Sequence, residues 1–322
     1  MKDGVKFSDG EPLTVDDVIF SLYVYCDPTY DGNATVFSTP IQGMKEYRSG
    51  VDTLFNLILA AGEENTDFSK WTEEQQKTFW TDYKTAVDAF VKEIVDLCVA
   101  NGLNKEGDSI AACAANYGYE GLKDDATAMD FFNAMLEKYD GSVTKMSAAE
   151  SAGTQFTELM PSYKDYAVGV ETGESAPNIS GIQKTGDNTV RVITTKVDAQ
   201  AIYQLAMLIS PLHYYGDPAQ YDYANNKFGF PKGDLSRVRA KPTQPLGAGP
   251  YVFEKYENGV VSMKANENYY LGAPKTKSLK VNYVAQPDRV NAVLTGTADV
   301  TNPSYTNEIA DAIKKANSNG EI

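Results

Sequence analysis

Apolar residues recur at helical spacing in several stretches of the first half of the chain. Val18 to Tyr25 form a nearly continuous apolar run behind Thr14 and Asp17. That pair reads as a capping box, with Thr14 at the N-cap and an acid three residues on. Asp27-Pro28 ends the run, because the residue before a proline is pushed out of the helical region. Thr72 to Gln75 is a second capping-box match. Phe79, Trp80, Tyr83, Val87, Phe90, Val91, Ile94 and Cys98 follow it at helical spacing, and Gly102 supplies a stop. Asp124 to Tyr139 predicts a further amphipathic helix carrying Met129, Phe132 and Leu136, and residues 51–62 predict another. The stretch 41–165 therefore reads as a helical subdomain inserted into an α/β frame.

From residue 178 the period shortens. Ile179 to Lys184, a Gly186-Asp187-Asn188 turn and Thr189 to Thr195 predict a hairpin. Asp198 to Leu208 is predicted helical. Residues 216–247, rich in Gly, Pro, Tyr and Asn, read as an ordered loop region. Strands are predicted over Tyr251–Tyr256, Gly259–Ala265 and Leu279–Ala285, and short helices over Pro287–Leu294 and Tyr305–Lys315. At the start, Gly4 to Phe7 reads as a short strand and Ser8-Asp9-Gly10 as a turn. No internal repeat or low-complexity tract interrupts this order.

The length, 322 residues, is enough for two or three domains with a real core. There are 29 basic and 44 acidic residues, a net charge of −15. That sign is wrong for neutralising phosphates, so nucleic acid is not an expected partner. The three cysteines, Cys26, Cys98 and Cys113, lack metal-ligand spacing. Cys98 lies on an apolar helical stripe and reads as a buried thiol, with a Cys98–Cys113 bridge as the alternative. No apolar run approaches the ~20 residues of a membrane span. Met1 is followed at once by Lys2-Asp3 and a turn, with no signal-peptide pattern. The sequence reads as a piece excised from within a longer fold.

Candidate chemistry is sparse. Asp27, Thr29, Asp31, Gly32 and Asn33 imitate the first half of a calcium loop. The twelfth position is Ser38, however, not a bidentate Glu, so an Asx-rich turn is the better reading. His213 is the single histidine, so a metal site there is not expected and a packing or capping role is. Glu63-Glu64 and Glu73-Glu74 could suggest a two-carboxylate glycosidase, but both pairs sit at predicted helix ends, where solvated acids are ordinary. Gly247 and Gly249 precede Pro250 and a strand, whereas phosphate cradles open a helix. They read as a turn permitting close backbone approach, either at a hinge or only setting strand register. No nucleophile elbow is present. No enzymatic activity, metal or cofactor is expected.

Four segments carry a family resemblance. They are Gly4-Val5-Lys6-Phe7-Ser8-Asp9-Gly10 continuing to Ser21, the hairpin Gly181–Thr195, Gly247-Ala248-Gly249-Pro250-Tyr251 with Asn266 to Gly272, and Gly296-Thr297-Ala298-Asp299. In this order they resemble the extracytoplasmic solute-binding proteins of ABC importers, in the peptide-binding family (family 5) that also takes up nickel chelates and some sugars. Members of that family ordinarily begin with a signal or lipobox and more first-lobe sequence, and continue well past the last residue here. The helical stretch 41–165 is also longer than their usual subdomain.

The resemblance implies an α/β fold of the type II periplasmic-binding-protein kind, with a mixed-sheet lobe and an inserted helical subdomain. Residues 1–175 would be the lobe I subdomain carrying the insertion, 176–285 the lobe I core, and 286–322 the start of lobe II. It implies capture of a peptide or similar small solute between two lobes, delivery to an ABC permease, and a monomer held outside the cell by a lipid anchor. Neither signal nor anchor is present in this sequence. The family places a cleft-facing loop after its first helix, which makes Thr35, Phe37 and Ser38 candidate ligand contacts. Tyr221, Tyr223, Phe228 and Phe230, in the loop-rich region, are the other candidates, since amphipathic rings suit a tolerant cleft. Gly247, Gly249, Pro250 and Tyr251 would form the hinge turn. The rival expectation is a non-catalytic interaction module, with the helical insertion docking a partner.

Overall fold

In the computed structural model, residues 1–32, 34–241, 243–285, 288–304 and 306–317 are described. They fold as mixed α/β with short sheets and divide into two units. One comprises Met1 and Thr14–Pro242, the other Lys2–Leu13 and Thr243–Ile322. Every described strand pairing is antiparallel.

The first unit holds two hydrophobic clusters. The larger is helical and centres on the 28-residue helix Glu73–Ala100. Thr72 opens that helix as expected: its hydroxyl accepts from Gln75 N at 3.1 Å while Gln75 Oε1 accepts from Thr72 N at 2.8 Å. Phe79, Tyr83, Val87, Phe90, Val91, Ile94 and Cys98 are all buried along one face, and Trp80 is half-buried beside them. The helix stops because Gly102 adopts φ 71°, which lets Leu103 N reach back to Cys98 O at 2.9 Å. Tyr83, Phe132 and Phe156 meet in edge-on and tilted pairs with centroids 5.0–5.9 Å apart, the arrangement that aromatic quadrupoles favour. The three cysteines are buried free thiols, and Cys98 and Cys113 are not bridged.

Two helices begin later than the periodicity predicts. Ala128–Lys138 starts at its own cap, where Thr127 N and Oγ1 both donate to Asp130 Oδ2. The four residues before it therefore stay outside the helix. Residues 51–62 split: Val51–Thr53 pairs with Gly169–Glu171, and only Leu54–Ala61 is helical. Gly50 precedes the strand at φ 70°, and a Cβ there would lie 2.3 Å from Glu174 O. The backbones of residues 50 and 173–174 close together, so the strand, not a further helical turn, occupies 51–53.

The second cluster packs Val15–Cys26 against the hairpin Ile182–Gly186/Thr189–Val192 and the region 212–238. Asp17 is 4% exposed and does two jobs. Its Oδ2 takes both Thr14 N and Thr14 Oγ1, and its Oδ1 takes Leu212 N at 2.8 Å. At the other end Asp27 is fully buried. Its Oδ1 accepts from Thr29 N and Oγ1, and its Oδ2 accepts from Gly233 N at 2.9 Å. Arg48 donates to the carbonyls of Cys26 and Asp27, which have left the helix ladder. The calcium-like residues Asp27, Thr29 and Asp31 are thus turned to internal bonding, and Asn33 lies outside the described residues. The helix expected over 198–208 is confined to Ala201–Gln204. Asp198 Oδ1 caps Gln200 N in a local turn, and Ser210 N is drawn to Ser21 Oγ, so the chain leaves the helix early.

In the second unit, Tyr251–Glu257, Val260–Ala265 and Ser278–Asn282 form a three-stranded sheet in that order. Asn258 and Gly259, at φ 51° and 78°, make the two-residue hairpin turn between the first two strands. Residues 2–13 belong to this unit; they carry only a Lys6–Pro12 bridge and not the strand expected over Gly4–Phe7. Helices Arg289–Leu294 and Asn307–Ala316 follow. Pro287 and Tyr305, expected at their starts, fall outside the described residues.

Replacing Asp27 by Ala would leave Gly233 N and Thr29 N buried without an acceptor. Asp27→Ala is expected to lower unfolding free energy by about 3 kcal/mol, read from urea melts. A loss below about 1 kcal/mol would show that this carboxylate is not the anchor described.

Candidate functional site

The candidate residues fall into three groups, in different surroundings. Thr35, Phe37 and Ser38 lie on and beside the 3-10 turn Val36–Ser38, downstream of the first helix and of the Asp27–Arg48 junction at its end. Val36 is buried and pins the turn. Ser38 Oγ donates to Thr35 O at 2.7 Å and accepts from Gln204 Nε2 at 3.3 Å, while Thr39 Oγ1 donates to Gln204 Oε1 at 2.8 Å. Gln204 therefore ties this turn to the segment 196–208. The Arg48 guanidinium stands 4.6 Å from the centroid of Phe37, a cation–π contact that holds the ring in place. Phe37 and Arg48 also line a hollow of about 700 Å³ with Thr39, Met44 and Thr195.

The neighbouring segment presents apolar side chains to solvent. Val197 is 100% exposed, Ile202 74%, Tyr203 80% and Leu208 81%. Leu205 and Met207 turn inward against the second cluster and hold the segment down. Exposed apolar side chains are ordinary when scattered and informative when they gather on one segment. These residues were not singled out from sequence. Sequence alone predicts a helix over Asp198–Leu208, of which only Ala201–Gln204 forms, and does not foretell the exposure of its apolar side chains.

Tyr221, Tyr223, Phe228 and Phe230 stand elsewhere in the same unit. Phe228 is 5% and Phe230 8% exposed. Phe228 stacks on Tyr23 at 3.4 Å between centroids, and Phe230 meets Phe20 edge-on at 6.0 Å. Tyr221 OH donates to Asp16 Oδ1 at 2.7 Å, where Lys184 Nζ also arrives at 2.6 Å. Burial first, and then the Asp16 carboxylate, push the Tyr221 hydroxyl far above the usual tyrosine range. Tyr223 OH accepts from Lys184 N at 3.0 Å. These four rings are brought together with one another, around the first helix, and not with Phe37.

Gly247, Gly249, Pro250 and Tyr251 lie in the second unit. Asn266 holds this turn by donating Nδ2 to Gly249 O at 2.7 Å and its backbone N–H to Pro250 O at 2.8 Å. Neither glycine has positive φ, and a Cβ on either would meet nothing within 4 Å. Ser8 N does reach Gly247 O at 3.0 Å, but no approach at either position is so close that only glycine fits. Pro250 precedes the first strand residue, Tyr251, as its missing N–H requires.

One cluster resembles acid–base machinery. Glu150, 7% exposed, receives Tyr119 OH, Tyr139 OH at 2.6 Å and Lys138 Nζ at 3.0 Å on the same oxygen. Burial pushes its carboxyl up, but the two hydroxyls and the ammonium outweigh burial and hold it below the ordinary carboxylate value. A carboxylate kept ionised, with its oxygen taken by three donors, is a structural staple between helices and not a proton shuttle. His213 is the sole residue of the short helix Leu212–Tyr215 with basic character, and among the described residues no group of three His, Cys, Asp or Glu side chains could hold a metal ion. No helix among the described residues is long and apolar enough to cross a membrane.

Residues 106–321 match the family of bacterial extracellular solute-binding proteins, family 5 (middle). Heme-binding protein A of Haemophilus influenzae is 29% identical over 126 residues, covering 38% of this chain and 21% of that protein. Di/tripeptide-binding protein 4 of Pseudomonas aeruginosa is 28% identical over 127 residues, again 38% and 21%. The chain thus spans about a fifth of the length of these curated relatives. Among solved structures, lactococcal OppA complexed with an endogenous peptide in the closed conformation aligns over 97% of this chain and 34% of its own, at 13% identity and TM-score 0.42. HbpA2 from Haemophilus parasuis aligns over 43% of this chain and 25% of its own, at 22% identity and TM-score 0.32.

The Glu150 staple has a pH signature. Its folded pKa lies below the unfolded one, so the stability it supplies is complete above the unfolded value of about 4.3 and is lost as pH falls through the folded value. Glu150→Gln is expected to cost about 2 kcal/mol at pH 7. The two proteins should converge in stability as pH falls below the depressed folded value of Glu150. Parallel stability curves from pH 7 to pH 3 would remove the assignment.

Proposed function

The chain belongs to the bacterial extracellular solute-binding proteins of family 5, and we propose that it is part of the solute-capturing component of an ABC importer. In this reading it takes a peptide or similar small solute into a cleft between two lobes and performs no chemistry on it. The lobes close about a hinge, and a permease accepts the cargo. Residues 1–175 belong to the lobe I subdomain, 176–285 to the lobe I core and 286–322 to the start of lobe II. The whole protein is a monomer, placed outside the cell by a lipid anchor. Gly247, Gly249, Pro250 and Tyr251 act as the hinge turn.

The observation that carries the reading is the exposed apolar surface at Val197, Ile202, Tyr203 and Leu208, tied through Gln204 to Thr35–Ser38. It supports solute capture because it combines side chains that gain by leaving water with the exposed polar residues Thr35 and Ser38. Extended peptides are held by such a mixture: backbone hydrogen bonds give affinity, and roomy apolar surface tolerates varied side chains. Peptide cargo is preferred because two of the relatives are di/tripeptide-binding proteins, although another is named for heme. Tyr221, Tyr223, Phe228 and Phe230 act in this reading by stiffening the scaffold beneath the surface. The helical insertion gives less support to the rival docking reading. Its exposed large apolar residues are few and separate in sequence: Phe68, Leu97 and Leu103.

The test is calorimetric titration of the protein, with its natural flanking sequence, against di- to pentapeptides. Tyr203→Ala and Phe37→Ala should each weaken binding by about tenfold, or 1.4 kcal/mol. Tyr203→Ala, on an exposed ring, should leave the melting temperature unchanged. Unaltered affinity in both variants, or the absence of binding to any short peptide, would overturn the peptide reading.

A further inference from the structure

The helical insertion carries a second hollow that the solute-capture reading leaves unused. It measures about 610 Å³ and lies between the loop after helix Leu54–Ala61 and the first three turns of Glu73–Ala100. One wall is a loop held rigid by one buried side chain. Gln76, 5% exposed, donates Nε2 to the carbonyls of Glu63 and Asn65 at 2.8 and 2.9 Å. Its Oε1 accepts from Asn65 Nδ2 and Trp71 Nε1, both at 3.0 Å. Asp67 and Ser69 extend the loop through further Asx turns. The shape of the hollow is therefore set before anything enters it.

Its lining is aromatic and acidic. Trp80 and Phe68 both face it, and Phe68 is 37% exposed. Trp80 is positioned by edge-on contacts with Phe79 and Tyr83, at 5.4 and 5.3 Å. Its indole N–H meets no acceptor among the described residues, so no hydrogen bond accounts for the placement of the ring. Trp71, by contrast, is tied through its N–H to Gln76. Three carboxylates and two ammoniums line the hollow. Lys84 pairs with Glu63 at 2.7 Å and Lys77 with Glu73 at 2.8 Å. Among the described residues Glu64 forms no ion pair, whereas both lysines of the lining are already paired. The paired charges cancel locally, which leaves one carboxylate beside two aromatic rings.

We propose that this hollow binds a small organic ammonium. An indole and a phenyl ring attract a cation through their quadrupoles, and the unpaired Glu64 supplies the opposite charge. A bare metal ion is poorly served, since a single free carboxylate is too few ligands for one. An anion would be repelled by Glu64. A neutral apolar solute would meet a lining in which most side chains are charged or polar. The inference is independent of the solute-capture reading: it concerns a different part of the chain and a different ligand chemistry. Two sources share that chemistry, a quaternary headgroup and a primary amine, and they differ in whether the nitrogen can donate hydrogen bonds.

Trp80 lines this hollow, and Trp71, the other tryptophan of the chain, is bonded to Gln76, which also lines it, so intrinsic fluorescence reports on it. The whole chain would be titrated with choline, with ethanolamine, and with 3,3-dimethylbutan-1-ol, the uncharged isostere of choline. A saturable fluorescence change with choline, with ethanolamine or with both, and none with the alcohol, is the expected result. Stronger binding of choline would assign a quaternary headgroup, and stronger binding of ethanolamine a primary amine. Glu64→Gln should weaken the response by about tenfold, and Phe68→Ala by about fivefold, with unchanged thermal melts. Raising the salt concentration should weaken it further. The proposal is overturned by the absence of saturation for both ammonium probes up to tens of millimolar, by an equal response to the alcohol, or by an unaltered response in Glu64→Gln.

Discussion

The Asp27 carboxylate is the constraint on which the first unit depends. It is buried completely, and burying a charge is tolerated only where hydrogen bonds replace its water. The replacements come from two directions. Thr29 N and Oγ1 bend the chain sharply after the first helix, and Gly233 N arrives from more than two hundred residues away. Gly233 O in turn accepts from Gly169 N at 2.7 Å, at the strand that closes the helical insertion. A Cβ on Gly169 would lie 2.8 Å from Gly233 Cα, so this crossing tolerates no side chain. One carboxylate thus joins the end of the first helix, the exit of the insertion and the 231–239 segment.

Arg48 completes the same junction from the other side. It satisfies the carbonyls that the helix leaves behind at Cys26 and Asp27, and it lies against Phe37. The 35–39 turn is therefore a consequence of how the first helix ends. Arg239 reinforces the arrangement by donating to Thr29 O and Ala167 O and by meeting Asp31 at 3.3 Å. The helical cluster and the α/β cluster each have their own apolar core, but their polar seam is shared. Packing fills each cluster, whereas the seam fixes where one stands on the other within this unit.

Where local chemistry decides the structure, the sequence is legible. The boxes at Thr14 and Thr72 give helix starts to the residue, and the apolar stripe from Phe79 to Cys98 gives the buried face of the longest helix. The two predicted strands do pair as a hairpin, with Gly259 in the turn beside Asn258 and not at the head of the second strand. Where a distant partner decides, the sequence is mute. Residues 51–53 have helical neighbours but pair with 169–171. Residues 205–208 have helical composition but follow Ser210 to Ser21. Nothing near Asp27 in sequence foretells Gly233. The candidate residues Thr35, Phe37 and Ser38 come from the family resemblance and not from local chemistry, and nothing local points to the exposed apolar segment beside them.

The tyrosines show what separates a structural ring from one that faces a partner. Abundance alone points to a cleft, since 21 of them are available. The hydroxyl is the better guide. Tyr23 OH accepts from Ile179 N, Tyr166 OH donates to Gln75 O, and Tyr221 OH is bound to Asp16. Each of these rings crosses between elements and ends on a partner that only the folded chain provides, so its specificity is already consumed internally. Tyr203 differs on every count. Its ring is 80% exposed, its neighbours Ile202 and Leu208 are exposed with it, and Gln204 beside it is locked to Ser38 and Thr39. An apolar group left in water gains nothing for the fold, because the hydrophobic contribution accrues only on burial. In the proposed capture reading, the backbone anchored at Gln204 lowers the entropic cost of meeting a solute there.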